Sequence, residues 1–211
     1  MALRVSQELK PGMLVNLGVG IPTLLSDFIP TDGSILMHAE NGLIGYGPHP
    51  PDGEGDPNLV NAGGEMVTLI PGTAFVHHTD SFAIIRGGHL DITILGGMQV
   101  SAKGDLANWT TATRGLGSPG GAVDLAMGAK KVIVLMEHTS KDGNSKLVKE
   151  CSYPLTGKEC VDLLVTDLGL FHMTSEGPVL AEIAPGWSPD QVQDQTDATI
   201  IVSNELKTFL E

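Results

Sequence analysis

The sequence predicts an α/β domain, a mainly parallel sheet flanked by helices, on three observations. Short apolar runs recur along the 211 residues between glycine and proline punctuation. Several of these runs lack polar alternation, as expected of strands buried on both faces. Segments with helical character fall between them, which favours strands and helices alternating in one α/β unit.

Taken in order, residues 5–9 carry a short helical pattern and 13–17 the first strand. A second helix is expected over 22–28, and a second strand over 34–38, continued to Ala39. The run 48–55 (Pro-His-Pro-Pro-Asp-Gly-Glu-Gly) cannot hold regular structure and reads as an exposed loop. Strands follow at 67–70, 82–85 and 92–95, the last bracketed by Gly87-Gly88 and Gly96-Gly97. Helices are expected over 122–129, 157–163 and 189–195, with strands at 131–136 and 163–166. Ser188-Pro189 supplies a capping hydroxyl and a proline in the first turn, a good helix start. No repeat, low-complexity tract or linker divides the chain, so one domain over 1–211 is expected.

Composition narrows the function. A net charge of −13 argues against nucleic acid and anionic membrane as partners. No apolar run approaches the roughly 20 residues of a membrane span. The first ten residues have neither the apolar core of a signal peptide nor a basic, acid-free character. Cys151 and Cys160 stand nine apart, a spacing of no metal or redox pair, and two thiols suit a reducing cytoplasm. A soluble, cytoplasmic protein is expected. Between Lys10 and Arg86 there is no Lys or Arg, while Asp27, Asp32, Glu40, Asp52, Glu54, Asp56, Glu65 and Asp80 all fall there. A phosphorylated ligand meeting this half must be attracted by helix ends or by another chain.

The richest stretch for chemistry is 34–48, where a short apolar run ends at Glu40 and Gly42, Gly45 and Gly47 follow. A strand ending at Ala39 aims Glu40 into the region beyond its carboxyl end, where open α/β sheets bind ligands. The glycines allow close backbone approach. Such an acid can be a nucleophile, a general base or only a turn acid. Asn16-Leu-Gly-Val-Gly-Ile-Pro-Thr again puts a polar side chain, Gly18 and Gly20 at a strand end, without the lysine of a phosphate loop. Gly115-Leu-Gly-Ser-Pro-Gly120 has the glycine spacing of a dinucleotide turn, but 108–114 is no buried strand feeding it. A Gly120-Gly121 turn at a helix start can instead offer backbone N–H groups to an oxyanion or carboxylate. His77 and His78 are adjacent, not at helical i, i+4 spacing, which speaks against a metal site. The stretch 104–109 (Gly-Asp-Leu-Ala-Asn-Trp) is a second candidate functional loop.

Together these motifs resemble the β subunit of the class I CoA-transferases that act on 3-oxo acids. The matching runs are 16–23, 40–48, 61–64 (Asn-Ala-Gly-Gly), 80–89, 95–101, 104–109, 120–125, 136–138 (Met-Glu-His) and 153–157 (Tyr-Pro-Leu-Thr-Gly), in order over roughly 5 to 205. The resemblance implies the CoA-transferase/ribose-5-phosphate isomerase type of fold. It implies CoA transfer from an acyl-CoA, such as succinyl-CoA, to a 3-oxo acid by a ping-pong route through a glutamyl-CoA thioester on Glu40. Asn16 and the amide of Gly120 or Gly121 correspond to oxyanion donors, and Gly18, Gly20, Asn41 and Gly42 to the surrounding binding positions. No tightly bound cofactor and no metal are implied, with CoA entering as substrate. A partner α subunit is implied, carrying much of the CoA surface, in a heterotetramer of two α and two β subunits. The family commonly has serine where this chain has Ala39. The longer run before Gly121, with His77-His78, is more similar to the subgroup using 3-oxoadipate than to users of acetoacetate. Two other readings remain at this point: a non-catalytic ligand-binding or regulatory subunit of the same fold, and an NAD-dependent oxidoreductase built on Gly115–Gly120.

Overall fold

A computed structural model of the chain describes residues 1–111 and 117–209. It opens with helix α1 (Ala2–Ser6), strand β1 (Leu14–Leu17) and a 3₁₀ helix (Ile21–Phe28), followed by β2 (Leu36–Ala39), β3 (Leu43–Tyr46) and β4 (Leu69–Phe75). Helix α2 (His78–Arg86) leads into β5 (Ile92–Leu95), β6 (Gln99–Ser101) and β7 (Leu106–Ala107). Helix α3 (Ala122–Gly128) leads into β8 (Lys131–Leu135) and β9 (Leu147–Val148). The last third adds β10 (Leu163–Val165), β11 (Gly169–Thr174), β12 (Gly177–Ile183), α4 (Pro189–Asp194) and β13 (Ile201–Thr208).

Among the described residues one sheet runs in the order β13-β12-β11-β10-β8-β5-β1-β2-β3-β4. Its middle, from β10 to β2, is parallel throughout. Antiparallel pairs extend it on both sides, through β11 and β12 at one end and β3 and β4 at the other. Strands β7, β6 and β9 form a separate small sheet. The α/β reading with a mainly parallel, helix-flanked sheet therefore holds, with antiparallel wings added.

Alternating side chains divide the core between the two faces. Val15, Met37, Ile92 and Ile133 pack with Val5 and Leu25 on one face, under α1 and the 3₁₀ helix. Leu95, Val134 and Leu164 pack with Ile85 and Leu125, from α2 and α3, on the other. Each face buries aliphatic side chains at roughly 25 cal/mol per Å² removed from water, the main force holding helices to sheet.

Two expected elements are different in the structure. Residues 82–85 belong to helix α2, not to a strand. The run Phe-Ala-Ile-Ile is too short to show its period. The decisive signals flank it: His77 accepts a capping bond from the Thr79 N–H, and Asp80 and Arg86 suit the two helix ends. Only Ser81 and Ile85, four apart, are buried. Residues 157–163 form no helix, because their amides bond elsewhere. The N–H groups of Cys160 and Val161 both donate to the Gly104 carbonyl at 3.0 Å, and Glu159 has φ 48°. The first helix is shifted to Ala2–Ser6, and the strand expected over 67–70 runs on to Phe75 as an edge strand, where Pro71 is tolerated.

Candidate active site

The carboxyl ends of the neighbouring parallel strands β1, β2 and β5 face an open cavity of ≈ 460 Å³. From β1 come Leu17, Gly18 and Val19; beyond β5 come Gly96, Gly97 and Met98. The wall opposite is Asn108, Trp109 and the segment Ser118–Ala122. Glu40 is the only ionisable side chain among the described lining residues.

Glu40 does not begin a long loop. It opens a three-residue turn, Glu40-Asn41-Gly42, between β2 and β3, which are paired at Ala39 and Leu43. The Gly42 N–H donates to the Ala39 carbonyl at 3.0 Å and closes the turn. Gly42 has φ 121°, and a Cβ there would collide with the Val76 carbonyl oxygen. Asn41 turns away and donates from Nδ2 to the Val60 carbonyl at 2.8 Å. These two residues build the turn, and neither lines the cavity.

Two expected residues do reach Glu40. Asn16, fully buried on β1, places Nδ2 3.5 Å from Glu40 Oε2, at the long end of hydrogen bonding. A Cβ built on Gly121 would sit 3.3 Å from Glu40 Oε1, so the glycine is pressed against the carboxylate. Gly120 lines the same cavity, with its N–H 3.3 Å from Ser118 Oγ and φ 54°. Gly18 is fixed by strand packing: its N–H donates to the Ile94 carbonyl at 2.8 Å, and a Cβ would lie 3.0 Å from that oxygen. Gly20 caps the 3₁₀ helix with φ 91° and does not line the cavity.

The second candidate loop contributes only its end. Asn108 donates to the Gly96 carbonyl at 3.0 Å and accepts from Thr156 Oγ1 at 2.6 Å, which ties this wall to β5. The first glycine of the dinucleotide-like pattern, Gly115, lies outside the described residues. The described residues just before it, 108–111, form no strand. His77 caps α2, and His78 lies 4.7 Å from the Phe82 ring, centroid to centroid.

Residues that motif reading passed over complete the surroundings. Behind Asn16 stand His38, Ser81 and Thr93, all fully buried. A signal for two of them was present: His38, like Asn16, interrupts an apolar run near its carboxyl end, and Thr93 interrupts the run 92–95. Burial lowers the His38 imidazole to about 4, so it is neutral near pH 7. Burial, with the charges of Glu40 and Glu65 added, raises the Tyr46 phenol above its ordinary value.

Comparison with known proteins agrees with this architecture. The family model described as Coenzyme A transferase matches residues 1–195. One subunit of the 3-oxoadipate CoA-transferase of Acinetobacter baylyi is 49% identical over 201 residues, 95% of this chain and 93% of that protein. One subunit of the succinyl-CoA:3-ketoacid coenzyme A transferase of Helicobacter pylori is 51% identical over 195 residues, 92% of this chain and 94% of that protein. Among solved structures, an acyl-CoA transferase of E. coli in a thioester complex with CoA superposes with a TM-score of 0.77 at 23% identity, over 99% of this chain and 42% of that one. That likeness supports the fold. With a sheet whose strand ends, glycines and buried asparagine surround one carboxylate, and with relatives this similar over nearly their whole length, the chain belongs to the coenzyme A transferase family.

Proposed function

We propose that this chain is the glutamate-bearing subunit of a transferase that moves CoA from succinyl-CoA to a 3-oxo acid, 3-oxoadipate or acetoacetate. A Glu40 carboxylate oxygen attacks the thioester carbonyl, the C–S bond breaks and CoA leaves as thiolate. The resulting mixed anhydride is attacked by that thiolate at the glutamyl carbonyl, which releases the donor acid and leaves a glutamyl-CoA thioester. The 3-oxo acid then repeats the steps in reverse and departs as its CoA thioester. This is covalent catalysis with ping-pong kinetics.

The reading is carried by one observation: Glu40, the sole ionisable side chain among the described cavity-lining residues, stands between Asn16 Nδ2 and Gly121. Each attack creates an oxyanion, for which the Asn16 amide and the Gly121 N–H are the proposed donors. A removed donor of this kind costs about 3–4 kcal/mol in the transition state. The bacterial relatives are each named as one subunit of their enzyme, which supports a partner chain here. We take that partner to be an α subunit that closes the open side of the cavity. CoA acts as substrate, and its phosphates are met outside residues 11–85, which contain no Lys or Arg. Among the described residues no helix is long and apolar enough to cross a membrane.

The test is trapping. The chain, assembled with its partner subunit and given succinyl-CoA, is treated with borohydride and mapped by mass spectrometry. Reduction of the Glu40 side chain to the alcohol is expected; active transfer with unmodified Glu40 ends the reading. Gly121→Ala gives a second check. The backbone at Gly121 (φ −79°, ψ −3°) accepts alanine, so the fold is kept. The new methyl crowds Glu40 Oε1 at 3.3 Å and Phe82 Cζ at 3.1 Å. Displacing a nucleophile by an ångström costs on the order of 10²-fold, so kcat should fall by roughly 10 to 10² with thermal stability unchanged.

A further inference from the structure

Asn16 on β1 is the direct register partner of His38 on β2 and of Thr93 on β5. Paired residues of parallel strands project from the same face, so the three side chains form a polar row across the sheet. Helix α2 covers that face and adds Ser81. All four are 0% exposed. A polar row in an apolar core is costly unless every group is partnered, and here the partners specify one another.

The main-chain oxygen of His38 can only accept, and Asn16 Nδ2 donates to it at 3.0 Å. The Asn16 amide is thereby oriented, and Oδ1 faces the Thr93 hydroxyl, which donates to it at 3.3 Å. The second Nδ2 proton has two acceptors in reach, His38 Nδ1 at 3.3 Å and Glu40 Oε2 at 3.5 Å. An amide nitrogen cannot accept, so His38 Nδ1 must be the unprotonated nitrogen. The imidazole proton then sits on Nε2 and is donated to Ser81 Oγ, 2.9 Å away. The opposite tautomer would set N–H against N–H at the Asn16 amide.

We infer that Ser81 and His38 are positioning residues for CoA transfer: Ser81 accepts the Nε2 proton and holds the imidazole ring in place, and His38 Nδ1 holds the Asn16 proton between itself and Glu40. The inference rests on Glu40 as nucleophile and Asn16 as donor. When an oxyanion forms beside Glu40, the shared proton turns to it without reorienting the amide. Burial supports this arrangement by keeping His38 neutral, with its pKa lowered to about 4. The other buried histidine, His138, shows that burial alone is no such signal. Its ring bonds to Thr166 and Thr196, whereas the His38 ring meets Asn16, the residue that reaches Glu40.

The test compares Ser81→Ala, Ser81→Thr and His38→Asn in the assembled enzyme, with melting temperature measured for each. Ser81→Ala should lower kcat and the rate of Glu40 thioester formation roughly tenfold, less than loss of a donor itself, which costs 10²–10³. The KM for succinyl-CoA should stay within roughly twofold, because a transition-state contact is affected and not ground-state binding. Ser81→Thr, which keeps the hydroxyl, should restore kcat, and His38→Asn, which can place an acceptor near the Nδ1 position, should retain more activity than His38→Leu. A folded Ser81→Ala enzyme with wild-type kcat overturns the inference, as does an equal loss in Ser81→Thr. If Glu40 is labelled in wild type and Ser81→Ala labels at the same rate, only this inference falls. If wild type transfers CoA with Glu40 unlabelled, the nucleophile assignment falls and takes this inference with it.

Discussion

Glu40→Ala lowers CoA transfer by at least about 10⁴-fold while the chain folds and assembles as before. Removing the proposed covalent nucleophile would eliminate the step that makes the intermediate, and losses of 10⁴ to 10⁶ are the usual scale. The fold does not depend on the side chain. Glu40 lies in a turn closed by the main-chain bond from Gly42, and its side chain meets the 3.5 Å approach of Asn16 and packs against Gly121. Glu40 is half-buried, and removing so weakly bonded a side chain should change stability by no more than about 1 kcal/mol. Exchange of labelled succinate into succinyl-CoA, measured beside the melting temperature, checks both halves. Substantial residual exchange in Glu40→Ala would remove the covalent route.

Asn16→Ala has the second largest effect, on two quantities at once. As the proposed oxyanion donor its loss should reduce kcat by 10²–10³-fold, with KM for the acyl-CoA little changed. As a fully buried side chain it also leaves the Thr93 hydroxyl, the His38 carbonyl and His38 Nδ1 without its amide. Unpaired buried groups cost roughly 1–3 kcal/mol each, so the melting temperature should drop as well. Assay well below the lower of the two melting temperatures separates the terms. A loss of activity that vanishes at low temperature would make Asn16 structural only.

How much of the molecule is legible in its sequence follows from what each residue answers to. The central strands at 13–17, 92–95, 131–136 and 163–166 are buried on both faces, so hydrophobicity alone marks them. Strands β11 to β13 alternate partly exposed residues and pair antiparallel or at the sheet edge, a weaker pattern that gives no expectation. Segment 82–85 reads as a strand because its capping signals, not its apolar run, determine the helix. At the site, Glu40, Asn16 and Gly18 are legible because glycines punctuate the sequence at strand ends, and Gly120 and Gly121 because they mark a helix start. Asn41, Gly42 and Gly20 share the same pattern but serve the backbone, since a glycine required by φ looks the same in sequence as one required by a ligand. Ser81 is hidden, because nothing along the chain relates it to a histidine 43 positions away.

Glu40, the one acid among the described residues that line the cavity, has a consequence for the order of events. Two carboxylates held about 4 Å apart in a partly screened site repel by about 4 kcal/mol, on the order of 10³ in occupancy. A free acid is therefore turned away while Glu40 is an anion, whereas the uncharged carbonyl of a thioester is admitted. In the proposed glutamyl thioester that charge is gone, and the acceptor acid can enter. On this account the charge of Glu40 enforces turn-taking, and unreacted acids should be poor inhibitors of the resting enzyme.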